Sequence, residues 1–390
     1  MKCVVALAIL AFALLGQAAE EPTAKVLSNV ERAIAGMDDN WQLRENAAEA
    51  AAKRFLAGGN LWVSGSIPRF DIEWVNRAGG LMPVAAVKDP AKIASGDVLL
   101  YGCFDGMDSD DAGVLKPVHD KGVMVIAFGS DSLCPKTRQV VDFFLPNYLP
   151  RGTPMQRQVA ASMNLTHLWA LTGDFVGACT RAGKMPTMWQ SVMVDGARAR
   201  NARYRTQSFH DDMRIPAQEP GKTGAAYLER IRSGVRGLRT QLDVIGKASA
   251  ALRKTVAAGH TVFHANLGHF EPIRLVPVDL HVKMQILKRG KKAENLGKQA
   301  ERGDALLCVW YTALPTELLQ AAREKGVTSV CMVASNPENP IDTHAADIFI
   351  DPQWRFGDAA VTFPGYDVRI LPPSGVLNSL VFYTILADCR

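Results

Sequence analysis

Residues Gly58 to Phe70 (GGNLWVSGSIPRF) return two hundred positions later as Ala258 to Phe270 (AGHTVFHANLGHF). Each copy follows a long Ala-rich helical pattern, turns at a glycine (Gly59 or Gly259), runs through four apolar-leaning residues and opens into a small polar loop. That order reads as helix, strand, then a loop at the carboxyl end of the strand. In an open parallel α/β sheet such loops hold ligands, and small residues there let backbone N–H groups approach an anion. Later landmarks repeat in the same order. Gly96-Asp97-Val98-Leu99-Leu100 matches Gly303-Asp304-Ala305-Leu306-Leu307 at an offset of 207, Lys121-Gly122-Val123 matches Lys325-Gly326-Val327 at 204, and the Asp142 run matches the Asp347 run at 205. A nearly constant offset predicts two α/β units of similar plan, arising by internal duplication.

Met1 to about Ala19 carries one Lys and then the apolar run CVVALAILAFALLG, too short for a comfortable membrane span and suited to a signal-peptide core. Cleavage near Ala18 or Ala19 is expected, and with it export to a periplasmic or extracellular location, with no stable membrane span after leader removal. The remaining chain of about 370 residues is too long for one ordinary core and fits two domains. Net charge is a modest +5. The densest basic run, Lys288 to Lys298, lacks the interleaved aromatics of a nucleic-acid surface and reads as a solvated loop or helix face, so no nucleic-acid partner is expected. Six cysteines follow the leader (103, 134, 179, 308, 331 and 389) with no CxxC spacing, so neither a metal nor a cofactor is expected. Cys308 and Cys331 lie in strand-like runs, where cysteine packs as a small hydrophobe.

The helical pattern from Lys25 to Leu56 ends at Gly58-Gly59, and the strand LWVSG follows. A further helix is expected over FDIEWVNRAG. The near-continuous apolar runs MPVAAV, VLLYG, VMVIAF and VDFFLP, separated by helical patterns, favour a parallel sheet covered on both faces. The boundaries expected are a leader at 1–19, a first unit at 24–150, a helical and Arg-rich connector at 151–221 lying outside both units, and a second unit at 222–390. In the connector, Arg198, Arg200, Arg203, Arg205 and Arg214 surround His210. They read as a surface segment paired to Asp195, Asp211 and Asp212, or as an arm offering guanidinium forks to an anionic ligand.

The helical lead-in, Gly-Gly turn, strand ending in Ser64-Gly65-Ser66, later Ser-bearing loop at Ser130 and repetition within one chain resemble the SIS (sugar isomerase) phosphosugar-binding family. The tandem form is similar to the isomerase half of glucosamine-6-phosphate synthase and to phosphoglucose isomerases. The resemblance implies two three-layer αβα units with parallel sheets, a small sugar or sugar phosphate as partner, and loops whose hydroxyls and amides hold the phosphate. Ser64, Gly65, Ser66 and Ser130 match that expectation in the first unit, and Asn266, Thr312 and Ser335 stand at equivalent loops of the second. Where the family's second phosphate loop reads S-x-S-G-x-T, the first unit has Gly102 to Ser109 (GCFDGMDS). Its acidic residues suit a neutral or amino sugar better than a phosphate dianion.

His264, His269 and Glu271 form the most catalysis-like cluster, because aldose–ketose isomerisation needs one group to open the ring and a carboxylate to move a proton between neighbouring carbons. Ser374, in Pro372-Pro373-Ser374-Gly375 before an apolar run, is expected as a helix N-cap and as a further anion contact. Two functions are therefore expected. One is binding of a sugar phosphate or related carbohydrate derivative, with isomerase or deaminase-type activity left open. The alternative is a non-catalytic exported carbohydrate-binding protein. Homo-oligomerisation is left open.

Overall fold

The computed structural model describes residues 21–389, apart from 282, 289, 312, 335 and 337–339, so the leader-like run at 1–19 lies outside the described residues. The Ala-rich lead-in is two helices rather than one, α1 (Pro22–Asp39) and α2 (Trp41–Leu56). The break falls at Asn40, whose side chain donates to the Gly36 carbonyl at 2.9 Å, a local bond by which asparagine competes with the helical ladder. Then follow β1 (Leu61–Gly65), α3 (Phe70–Trp74), β2 (Val84–Ala86), β3 (Val98–Gly102), α4 (Asp108–Asp120), β4 (Met124–Gly129), α5 (Pro135–Arg138) and β5 (Phe143–Pro146). Four helices come next: α6 (Gln156–Arg181), α7 (Ala197–Tyr204), α8 (Lys222–Arg239) and α9 (Leu242–Ala257). The second series is β6 (Val262–Asn266), α10 (Val278–His281), β7 (Met284–Ile286), α11 (Lys292–Gln299), β8 (Ala305–Trp310), α12 (Thr316–Lys325), β9 (Thr328–Val333), β10 (Ile348–Ile350) and α13 (Ser374–Leu386). The helix expected over FDIEWVNRAG stops early, at Trp74, because Asn76 takes a left-handed conformation with φ 54°.

The two sheets are five-stranded and wholly parallel, with the same strand order, β2-β1-β3-β4-β5 and β7-β6-β8-β9-β10. Registers correspond too. Leu61 pairs with Val98 as Val262 pairs with Ala305, and Val98 pairs with Met124 as Ala305 pairs with Thr328. The repeated aspartates explain part of this regularity, since each pins a backbone amide at a strand entry. Asp97 accepts from the Asn60 amide at 2.8 Å and Asp304 from the Thr261 amide at 2.9 Å. Asp142 accepts from Val125 and Asp347 from Ser329, each at 2.8 Å. The landmarks found in the sequence are thus corner fasteners that satisfy donors a strand end would otherwise leave open.

Alternate strand residues face different cores. Val98, Leu100 and Ile126 belong to one large core together with Leu307, Val330 and the central helices. Leu99, Tyr101 and Val125 turn outward onto α4, and Leu306, Cys308 and Cys331 turn outward onto α12. Each sheet therefore sits between helical layers, giving two three-layer α/β units. Helix α6, expected in a connector outside both units, is buried at every position from Gln158 to Thr180. Its sequence mixes small, polar and apolar residues on all sides, and it packs against α2, α8 and α13 in the shared core. Polar members are satisfied inside: Ser162 and Ser379 are 2.7 Å apart, and Arg44 meets Asp174 at 2.6 Å. The six cysteines are all buried and free. Among the described residues no helix is long and apolar enough to cross a membrane.

Candidate functional site

At the carboxyl ends of the second sheet a cleft of ≈ 720 Å³ opens between the two units. Strand β6 delivers His264 and Asn266, the turn after it delivers His269 and Glu271, β7 leads into Lys288, and α11 begins with Lys292. The first unit contributes Arg69 and Asn76, which bracket α3, and Arg77. The chain between α6 and α7 contributes Trp189 to Met193, and the C-terminal segment adds Trp354, Asp358, Ser374 and Asn378. Seven non-glycine residues among those described have positive φ, and three of them, Arg69 (69°), Asn76 (54°) and Asp358 (47°), line this cleft. Each such conformation costs on the order of 1–3 kcal/mol, and strain of this kind gathers where a chain must present side chains to a ligand.

His264 is fully buried. Its Nδ1 donates to the Leu307 carbonyl at 3.0 Å, which leaves Nε2 as an acceptor with no hydrogen-bond partner. Burial pushes its pKa down to about 4, against the pull of the Leu307 carbonyl, so the ring is neutral at pH 7. Phe382 of α13 stacks edge-on at 5.2 Å between ring centres and holds the ring in place. Asn266 donates to the Phe270 carbonyl at 3.3 Å while its Oδ1 has no partner. Lys292 donates to the Asn266 carbonyl at 2.9 Å and lies 4.7 Å over the Trp310 ring. Glu271 is ion-paired to Arg274 and, at 3.5 Å, to Arg69. His264, His269 and Glu271 line one cleft, and the carboxylate is held between two guanidinium groups.

The lining carries Arg69, Arg77, Arg274, Lys288 and Lys292 against Glu271 and Asp358. Its charge is therefore positive. The exception is its floor at the start of α13, where Arg77 meets Asp358 at 2.7 Å and Glu73 at 3.1 Å. Ser374 is the first helical residue and not the N-cap, a position held by Pro373. Its amide donates to Asp358 at 3.2 Å, its hydroxyl donates to Asp358 at 2.9 Å, and Arg77 donates to the same hydroxyl. The anion at this helix start is the protein's own carboxylate, which takes the place expected for a ligand.

The first unit's loops are closed by their own side chains. Ser66 accepts from the Phe104 amide at 2.7 Å and donates to Asp111 at 3.1 Å, and Tyr101 donates to the other Asp111 oxygen at 2.9 Å. Gly65 lies so close to β3 that an added Cβ would meet the Gly102 carbonyl oxygen at 2.5 Å. Ser64 is half-buried on β1 opposite Tyr101, and Ser130 is buried with its hydroxyl 3.3 Å from that of Ser132. Asp108 receives the Thr137 amide at 2.9 Å. Asp105 is buried, and burial pushes its pKa up to about 6 despite the nearby Ser130 amide and Arg157. The structure therefore gathers His264, Asn266, His269, Glu271 and Ser374 into the cleft, while Ser64, Gly65, Ser66 and Ser130 lie in the first unit's own loops. Thr312 and Ser335 lie outside the described residues.

Sequence reasoning missed Arg69, Asn76, Lys288, Lys292 and Asp358. Lys288 and Lys292 belong to the run read as a solvated loop or helix face, and Lys288 is exposed, but both also line the cleft; their spacing of four, directly after a short edge strand, was the available signal. In the Arg-rich stretch, Arg203 pairs with Asp212 at 2.6 Å as expected, but Arg200 reaches Asp367 at 2.7 Å in the C-terminal segment. Among the described residues no group of three or more His, Cys, Asp or Glu is placed to hold a metal.

No family model matches the chain. A UPF0309 protein of Streptomyces griseus subsp. griseus is 27% identical over 182 residues, which span 37% of this chain and 72% of that protein. A Salmonella typhimurium LT2 structure described as a candidate sugar binding protein superposes with a TM-score of 0.53 at 11% identity, covering 93% of this chain and 97% of the other. A Clostridium difficile 630 structure described as a candidate phosphosugar isomerase gives a TM-score of 0.51 at 8% identity, covering 93% and 90%. The chain has the tandem SIS fold. Both units of this SIS-like chain are covered by these superpositions, so the likeness concerns the whole arrangement and not a single α/β layer.

Proposed function

We propose that this SIS-like protein binds a sugar phosphate, or a sugar carrying a comparable anionic group, in the cleft at the carboxyl ends of the second sheet. One observation carries this reading: five cationic side chains, together with His264 and Asn266, line one cavity in which three non-glycine residues are held in left-handed conformations. Cations would take the anionic group, each charge-assisted bond being worth about 1.5–3 kcal/mol. The structural neighbours named for phosphosugars and sugars support the same class of ligand. Calorimetric titration with glucose 6-phosphate and with glucose tests it. The phosphate should bind at least tenfold tighter, and Lys288→Ala should narrow that gap; equal affinities would overturn the reading.

Isomerisation is the second reading, favoured by the neutral His264 Nε2 and Glu271 in the same cleft. The Glu271 carboxylate is already engaged by Arg274 and Arg69 and is not turned freely toward the cleft, which weighs toward binding without turnover. Incubation with fructose 6-phosphate in deuterium oxide separates the two, because a proton moved between neighbouring carbons by a protein base exchanges with solvent and leaves deuterium in the sugar. Export is proposed on the leader-like run alone, and Met1 retained in protein recovered from the expressing cell's soluble interior would overturn it.

A further inference from the structure

The cleft is larger than a single hexose phosphate requires, since cavities of about 300–1,000 Å³ take ligands well beyond that size, and its mouth has a chemistry that a sugar phosphate does not use. Seven large hydrophobic side chains are exposed among the described residues, and three of them, Val192 (48%), Met193 (52%) and Ile286 (43%), lie on the rim of this one cleft. Val192 and Met193 come from the segment between α6 and α7, and Ile286 from the end of edge strand β7, so two separate parts of the chain bring apolar groups to the same opening. The wall continues this surface inward through buried Leu287 and half-buried Trp189, whose ring nitrogen has no hydrogen-bond partner. Scattered exposed apolar residues need no explanation, but their concentration beside a charged pocket does.

We propose that the ligand of this cleft is an anionic sugar carrying an apolar substituent, which lies against Val192, Met193 and Ile286 while the anionic group meets the basic side. This rests on the sugar-phosphate reading above and extends it to a ligand of two chemical faces. A second polypeptide is the poorer occupant, because the apolar rim is continuous with a walled cavity. Removing these three side chains from water also gives the substituent a favourable contribution that a bare sugar cannot collect.

The test titrates the full chain with three probes: glucose 6-phosphate, phenyl β-glucoside 6-phosphate and phenyl β-glucoside. The phenyl phosphate should bind at least tenfold tighter than glucose 6-phosphate. In a Val192→Ser, Met193→Ser, Ile286→Ser variant, with a thermal midpoint like that of the parent, this ratio should fall to about one; Met193→Ser alone should lower it part of the way. If glucose 6-phosphate binds and the phenyl group adds nothing, the apolar subsite is overturned while the anion reading stands. If phenyl glucoside binds as tightly as its 6-phosphate, the subsite stands and the anion reading falls. If none of the three binds, both fall.

Discussion

The carboxylate of Glu73 presses against Gly375 in the first turn of α13, so closely that a Cβ added at Gly375 would meet Glu73 Oε1 at 2.0 Å. Glu73 comes from the first unit and Gly375 from the last helix, so this approach locks the two together. The carboxylate cannot swing away, because it is fully buried and paired with Arg77 at 3.1 Å. Gly375→Ala is therefore expected to destabilise the chain by about 2 kcal/mol, the usual scale for overpacking a core position, with a lowered thermal midpoint as the measurement. An unchanged midpoint would mean that the helix start moves freely against Glu73.

The sheets were legible in the sequence because each carries an internal copy of its own signals: glycine turn, apolar run, aspartate corner. Val98 to Gly102 and Ala305 to Trp310 could hardly be anything but buried strands. The burial of helix α6 was not legible in the same way. A helix buried on every side has no polar face to mark its orientation, and Asn164, His167 and Asp174 are bonded inside the core. The cleft was half visible. His264, His269 and Glu271 are close in sequence, but Arg69, Lys292 and Asp358 meet them only because two units and the C-terminal segment converge. Nor could Ser66 be told from a ligand contact, because the partner that occupies it, Asp111, stands 45 positions away.

Acid should weaken the fold through His264. Its pKa falls from 6.5 to about 4 on burial, so the unfolded chain takes up a proton that the folded chain refuses. Its contribution is present above pH 6.5 and is lost as pH falls toward 4, on the order of 3 kcal/mol in all. Buried acids such as Asp105, raised to about 6, act with the opposite sign in an overlapping window, so the comparison must be made against a variant. His264→Gln should show a flatter loss of stability between pH 6.5 and 4 than the parent in denaturant titrations. Parallel curves would show that the imidazole is open to protonation in the folded state.

Ser66 should matter for folding and not for the ligand. Ser66→Ala leaves the Phe104 amide without its acceptor and one Asp111 oxygen without its donor, a cost of about 1–3 kcal/mol. Affinity for glucose 6-phosphate should stay within a factor of two, and adding Ser64→Ala should not change that. A tenfold loss of affinity at parental stability would move the binding site to the first unit's loops.

Arg69 should show the opposite balance. Its backbone is left-handed at φ 69°, where glycine is strain-free and arginine costs about 1 kcal/mol or more. The side chain reaches Glu271 at 3.5 Å, and its Nε is buried with no hydrogen-bond partner. A residue kept in a strained conformation while its side chain lines a cleft is better explained by a ligand than by stability. Arg69→Gly is accordingly expected to leave the thermal midpoint no lower than the parent's while weakening glucose 6-phosphate binding about tenfold, a loss of 1.4 kcal/mol. Binding in the variant should also depend less steeply on ionic strength, since one cation has left the site. A lower midpoint with unchanged affinity would assign Arg69 to the fold and remove it from the site.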